Sequence, residues 1–179
     1  NVTEGIGLLK DLEKRLAAAG RTDLSLIVKD RLASIMERLE EWGEALDTVI
    51  TIAEANLELG DIEQGIAYYR RGVDLAVNHD MTKRGVELAF KMAGLLIDYR
   101  GLEAARPVFE EVRVYDNHSP ETVERIADIL FERGYRDEAC PIYKEVLEME
   151  PDRAQSLSRV SIIYALDGKL EEAAGLARQ

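Results

Sequence analysis

Two histidines, one cysteine and a surplus of carboxylates are the side chains of this chain with chemistry to offer. His79 and His118 fall in predicted loops between helices, and neither sits at His-x-x-x-His or a similar spacing that would turn two imidazoles toward one metal. They read as exposed loop histidines. Cys140 stands between Ala139 and Pro141 at a position expected to be buried, so it reads as a small core residue rather than a low-pKa nucleophile. Gly5-Ile6-Gly7 lacks the third glycine and the preceding strand of a phosphate-cradling loop. Carboxylate pairs are plentiful, but 35 acidic residues produce pairs by number alone. Acid–base catalysis needs two carboxyls whose surroundings separate their pKa values. The reading is no enzyme, with no catalytic residue, no metal and no cofactor.

The elements that could position such residues are bounded by composition. The 179 residues suit a single domain of ordinary size, and 46% hydrophobic content can bury roughly two-thirds of the unfolded surface. Against 35 Asp and Glu stand 23 Lys and Arg, a net charge of −12, which argues against nucleic acid because phosphate neutralisation needs clustered cations. One cysteine cannot form an internal disulfide. No apolar run approaches the roughly 18 residues of a membrane span, the densest being Ala93–Ile97, so no membrane insertion is expected. The first residue is Asn1 rather than Met, which leaves room for an upstream segment and keeps the compartment open, with the cytoplasm favoured.

Apolar residues recur at helical spacing throughout, and no stretch alternates with the period of a strand. In Thr122–Arg133, Val123, Ile126, Ala127, Ile129 and Leu130 form one face while Glu121, Glu124, Arg125, Asp128 and Glu132 form the other. The fold class is all-α. Gly134 and Gly168 lie 34 residues apart, as do Ala105 and Ala139, and Ala139 and Ala173. Ala105-Arg-Pro-Val-Phe-Glu-Glu-Val112 also lines up with Ala139-Cys-Pro-Ile-Tyr-Lys-Glu-Val146.

A 34-residue period of two helices and a glycine turn resembles the tetratricopeptide repeat. The best copy, 120–153, carries Val123, Ile126, Ala127, Leu130, Gly134, Ala139, Tyr143, Val146 and Pro151. Small Ala127 and Ala139 allow close helix approach, Tyr143 fills the space between hairpins, and Pro151 ends the second helix. Pro107 and Pro141 are expected near the first turns of their helices. A further copy, 154–179, breaks off before its second helix is complete. Upstream lie 87–119, with Ala93, Ile97, Gly101 and Phe109, and 46–79, where Asn56 replaces an aromatic and Gly65 and Gly72 replace alanines. The 41 residues from Gly60 to Gly101 imply an inserted loop around Asn78–Lys83.

Residues 1–42 read as a degenerate hairpin of helices Glu4–Ala19 and Asp23–Glu41. Trp42-Gly43-Glu44-Ala45 imitates the family's turn into a second helix, a competing phase that the stronger downstream copies outweigh. A helix continuous through Gly43 is the other alternative. The resemblance covers about residues 43–179 and implies about ten helices in five antiparallel hairpins, wound into a right-handed superhelical solenoid.

Such solenoids bind a peptide or helix on a concave surface lined by the first helix of each hairpin. Carried over by position, that groove holds Asp47, Ile50, Glu54 and Glu58, then Lys91, Leu95, Asp98 and Tyr99. It continues with Glu121, Glu124, Asp128, Phe131 and Glu132, and ends with Gln155, Ser158 and Ile162. Eight of these are acidic and one is basic. The expected partner is therefore a Lys/Arg-bearing protein segment, with Tyr99 and Phe131 as apolar or cation–π anchors. The competing explanation is a solvated acidic face. Repeats that clamp acidic chaperone tails use Lys, Asn and Arg at these places, and only Lys91 matches. Self-assembly through the array ends, where Leu176 belongs to an uncapped apolar stripe, is the alternative function, along with a regulatory or sensor domain of a larger protein.

Overall fold

The computed structural model describes residues 2–176, which form ten α-helices and no strand. They are α1 (Val2–Ala18), α2 (Thr22–Arg38), α3 (Trp42–Glu58), α4 (Ile62–Asn78) and α5 (Thr82–Arg100), then α6 (Leu102–Tyr115), α7 (Pro120–Glu132), α8 (Arg136–Met149), α9 (Ala154–Leu166) and α10 (Leu170–Leu176). The chain divides into two compact units, with Val108 the last residue of the first and Phe109 the start of the second. Within unit one each helix from α1 to α5 packs on the next, and within unit two α7 packs on α8, α8 on α9 and α9 on α10.

Unit one departs from the 34-residue expectation. Its helices start every 20 residues, at Thr22, Trp42, Ile62, Thr82 and Leu102, and α2, α3 and α4 each have 17 residues. The turns repeat in step. A left-handed residue follows each helix at Gly20 (φ 70°), Glu40 (φ 60°), Gly60 (φ 80°) and Asp80 (φ 58°). The next residue's N–H then bonds back to the last helical turn: Glu41 N to Met36 O at 2.9 Å, Asp61 N to Asn56 O at 2.8 Å, Met81 N to Ala76 O at 2.8 Å. These bonds satisfy carbonyls that the helix end leaves unpaired. Small residues Ser25, Ala45, Gly65, Gly85 and Ala105 keep the same period and are all buried, which lets neighbouring helices approach. A Cβ on Gly65 would lie 2.4 Å from Leu57 Cδ2.

Four local expectations change accordingly. No loop is inserted around Asn78–Lys83, because α4 runs to Asn78 and α5 starts at Thr82; the extra length is helix, α5 having 19 residues. The helix through Gly43 is interrupted, since α2 ends at Arg38 and Glu40 turns the chain before Trp42. Pro107 and Pro141 lie inside α6 and α8 rather than in their first turns, both exposed, where the ring costs one internal hydrogen bond each. Cys140 is only half-buried, because Ala139 beside it takes the enclosed position at 0% exposure.

The core of unit one is built from Leu32, Ala33 and Met36 of α2, Leu46, Val49, Ile52 and Ala53 of α3, Tyr69 and Val73 of α4, and Leu88, Ala89 and Met92 of α5. In unit two Val123, Ile126, Ala127 and Leu130 of α7 meet Ala139, Tyr143 and Val146 of α8 and Leu157, Val160 and Ile163 of α9. Here the 34-residue register holds, with Gly134 at φ 86° and Gly168 at φ 77°. Tyr143 is fully enclosed, as its bridging place requires.

Candidate protein-binding faces

In unit one, two ion pairs join α3 directly to α5. Asp47 pairs with Arg84, and Glu54 accepts from Lys91 Nζ at 3.3 Å, each across 37 residues. The odd-numbered helices thus lie side by side and present Asp47, Glu54 and Glu58 of α3 next to Lys91, Asp98 and Tyr99 of α5, all exposed. Ile50 and Leu95 are half-buried among them. Tyr99 is 60% exposed, and Lys91 also lies 5.9 Å from the centre of the Tyr69 ring. Exposed pairs of this kind contribute about 0–1 kcal/mol each, so they set charge pattern more than stability.

In unit two, α7 and α9 are joined by a denser network. Glu124, at 6% exposure, accepts from Arg153 Nε at 2.9 Å and from Ser156 Oγ at 2.6 Å. Arg153 reaches Glu150 at 2.6 Å and Glu121 at 3.2 Å as well. The bond from Glu150 and those from Glu121 and Glu124 outweigh desolvation and hold the Arg153 guanidinium above its ordinary range. The Glu121 carboxylate is held below its usual range by its own backbone N–H and by Arg153. Asp128 accepts from the Tyr143 hydroxyl at 2.6 Å and from Gln155 Nε2 at 2.6 Å, and pairs with Arg159 at 3.5 Å. Burial, and then Asp128, push the Tyr143 phenol well above its ordinary value of 10.

The expected site residues therefore separate by role. Asp47, Glu54, Glu58, Lys91, Asp98 and Tyr99 share one surface of unit one; Glu121, Asp128, Phe131 and Glu132 share one of unit two, with Glu121 and Glu132 exposed. Glu124 stands apart, because it is enclosed and spends both oxygens inside the protein. Phe131 already carries a cation, the Arg159 guanidinium 4.7 Å from its ring centre, with Tyr143 edge-on at 6.4 Å. Arg84 of α5, Arg153 before α9 and Arg159 of α9 escaped the sequence reading, because the positions carried over from the family, eight acids to one base, take only part of each first helix and leave these three out. The offset that brings them in, 37 residues in unit one and 32 for Glu121–Arg153 in unit two, is the signal that finds them. Ser158 and Ile162 of α9 line a cleft of about 370 Å³ with Leu157, Ser161 and Leu176.

His79 is not a free loop imidazole. It stacks on Trp42 with ring centres 3.5 Å apart and planes 9° from parallel. Among the described residues no three His, Cys, Asp or Glu side chains converge as a metal set, and no helix is long and apolar enough to cross a membrane.

The family model for the tetratricopeptide repeat matches residues 47–79 and 121–153, the α3–α4 and α7–α8 hairpins and the turns that follow them. Solved structures with a similar fold include MamA from AMB-1, at 17% identity over 98% of this chain and 90% of that one with a TM-score of 0.53. MamA from Desulfovibrio magneticus RS-1 matches at 13% identity over 97% and 91%, TM-score 0.53. The tetratricopeptide-like repeats of a putative kinesin light chain from Podosopora anserina match at 13% identity over 97% and 92%, TM-score 0.56. No curated protein sequence matches the chain. Two of its hairpins match the tetratricopeptide-repeat model, and the chain as a whole has the fold of tetratricopeptide-like helical-repeat proteins.

Proposed function

We propose that this chain is a non-catalytic interaction module of scaffold or adaptor type, which holds a Lys/Arg-bearing peptide or helix of a partner against its odd-numbered helices. Tetratricopeptide repeats support a protein partner. The observation that carries the finer reading is the α3–α5 surface, where exposed Asp47, Glu54 and Glu58 of α3 lie beside α5, with Arg84 on Asp47, Lys91 on Glu54, and Tyr99 exposed on α5. Unlike charges steer and orient a cationic segment before contact. Glu58 has no ion-pair partner among the described residues and is the carboxylate most available to a ligand.

The test is charge reversal at Glu58 and Asp98. Retention of a basic partner segment should fall at least tenfold in Glu58→Lys/Asp98→Lys, while the helical circular dichroism and melting temperature stay close to those of the parent. Unchanged retention would reduce this surface to a solvated acidic face.

A second reading, self-association through the array ends, draws on Leu8 of α1 at 67% exposure and on Leu166 and Leu170, at 59% and 67%, around α10. A concentration-dependent dimer in sedimentation that disappears in Leu170→Glu supports it; a monomer at high concentration removes it.

A further inference from the structure

Between α2 and α4, away from α5, unit one has a cleft of about 540 Å³ floored by the C-terminal part of α3. Its walls are Leu26, Ile27, Ile52, Leu59 and Tyr68, and two of these are among the most exposed large apolar side chains of the molecule, Ile27 at 66% and Leu59 at 59%. The charged residues of the lining are Asp23, Asp30 and Asp61, with no lysine or arginine. The cleft has an identifiable origin. Ile97 and Leu130 occupy the corresponding place of their own repeats and are buried at 6% and 3% exposure, whereas this repeat has the smaller, polar Asn56.

Asn56 is itself 9% exposed, and its Nδ2 donates to the Ile52 carbonyl at 2.8 Å. Its Oδ1 has no protein donor. Because no fully enclosed side-chain oxygen among the described residues lacks a partner, that oxygen opens into the cleft it lines. That oxygen is open to a ligand N–H. The three carboxylates are engaged: Asp30 with Arg71 at 2.6 Å, Asp23 with Arg21 at 3.3 Å, Asp61 capping α4 through Gln64 N.

We propose that this cleft is a second docking site, which takes an amphipathic basic segment of a partner protein. An apolar side chain of the segment packs on Ile27 and Leu59, an N–H meets Asn56 Oδ1, and its lysine or arginine heads lie over Asp23 and Asp61. Apolar walls and a rim of three carboxylates, two of them answered by Arg21 and Arg71, leave an acidic excess that fits this ligand class and disfavours an acidic one. The site stands independently of the α3–α5 surface, since no residue of α5 lines it.

The experiment maps methyl and side-chain amide NMR signals of the whole chain during titration with a 14-residue amidated peptide of leucine and lysine in helical spacing. The expected result is saturable shifts at Ile27, Leu59 and the Asn56 amide, and none there with the counterpart in which glutamate replaces lysine. In Asn56→Leu, which puts an aliphatic side chain there as at Ile97 and Leu130, the Ile27 and Leu59 shifts should weaken at least tenfold while any at Leu95 persist. Ile27→Ser/Leu59→Ser, at exposed positions that leave the core intact, should weaken binding in the cleft similarly. Shifts confined to Leu95 and the α3–α5 surface, equal shifts with the glutamate peptide, or an undiminished cleft response in these variants would overturn the proposal. Loss of the Leu95 response alone would count against the α3–α5 reading and leave the cleft standing.

Discussion

Glu124 is costly to enclose, because at 6% exposure it has given up water for Arg153 and Ser156. Removing one partner of a buried pair leaves the other uncompensated. Glu124→Ala should therefore lower unfolding free energy by about 3–5 kcal/mol, read as a shifted urea midpoint, and Glu124→Gln by less because the amide still accepts from Ser156. A similar logic governs Tyr143. Burial and Asp128 favour its neutral phenol in the fold, so its folded-state pKa lies above the unfolded value of 10. That contribution is complete below pH 10 and is lost as pH rises through the folded value. Stability should thus decline in alkaline solution, and Tyr143→Phe, already lacking a bond worth about 1 kcal/mol, should show less of this decline. The core members Val123, Ile126 and Ala127 were readable from spacing, and Tyr143 from the resemblance to the repeat. The burial of Glu124 was not, since a carboxylate at a surface-type helical position looks the same in sequence whether it faces solvent or an arginine arriving from the next turn.

At the scale of elements, the turn residues carry the argument. Gly20 and Gly60 adopt left-handed backbone at little steric cost, whereas Glu40 (φ 60°) and Asp80 (φ 58°) occupy the same turn position with a Cβ. Glu40→Gly should raise stability by about 0.5–1 kcal/mol in urea unfolding, the relief of strain exceeding glycine's extra unfolded entropy. A loss of stability would mean that the Glu40 side chain contributes more than its backbone costs. The 20-residue helix period of unit one was hidden for this reason: two of its punctuating positions are not glycine, so a search for glycine spacing finds 41 residues from Gly60 to Gly101 and infers a loop. The second element-scale contrast is α1, which has no buried residue and is tied to α2 by Glu13, bonded to Ser25 at 2.8 Å and Lys29 at 3.1 Å. Amide hydrogens of α1 should exchange fastest among the first five helices, and faster again in Glu13→Ala. Equal protection of α1 and α3 would contradict this.

For the whole molecule, the all-helical hairpin fold followed from periodicity and repeat length, because each hairpin is a local unit whose apolar pattern suffices to specify it. Charge at the binding faces is a property of neighbouring hairpins together, and a single register error rotates a helix face by about 100°. That is why the acidic count of the sequence is reduced in the structure: Arg84 answers Asp47, Lys91 answers Glu54, and Arg153 answers Glu121 and Glu124. We propose that the exposed carboxylates on the odd-numbered helices of unit one, Glu58 above all, select a basic protein segment. The most direct test is a pull-down from source-cell lysate on the parent chain and on Glu58→Lys/Asp98→Lys, at low salt and at about 0.5 M, where screening falls to a few ångströms. A discrete protein with a basic segment, retained by the parent at low salt and lost both at high salt and on the variant, is the predicted result. Equal recovery on parent and variant, or recovery of nothing but copies of this chain, would contradict it.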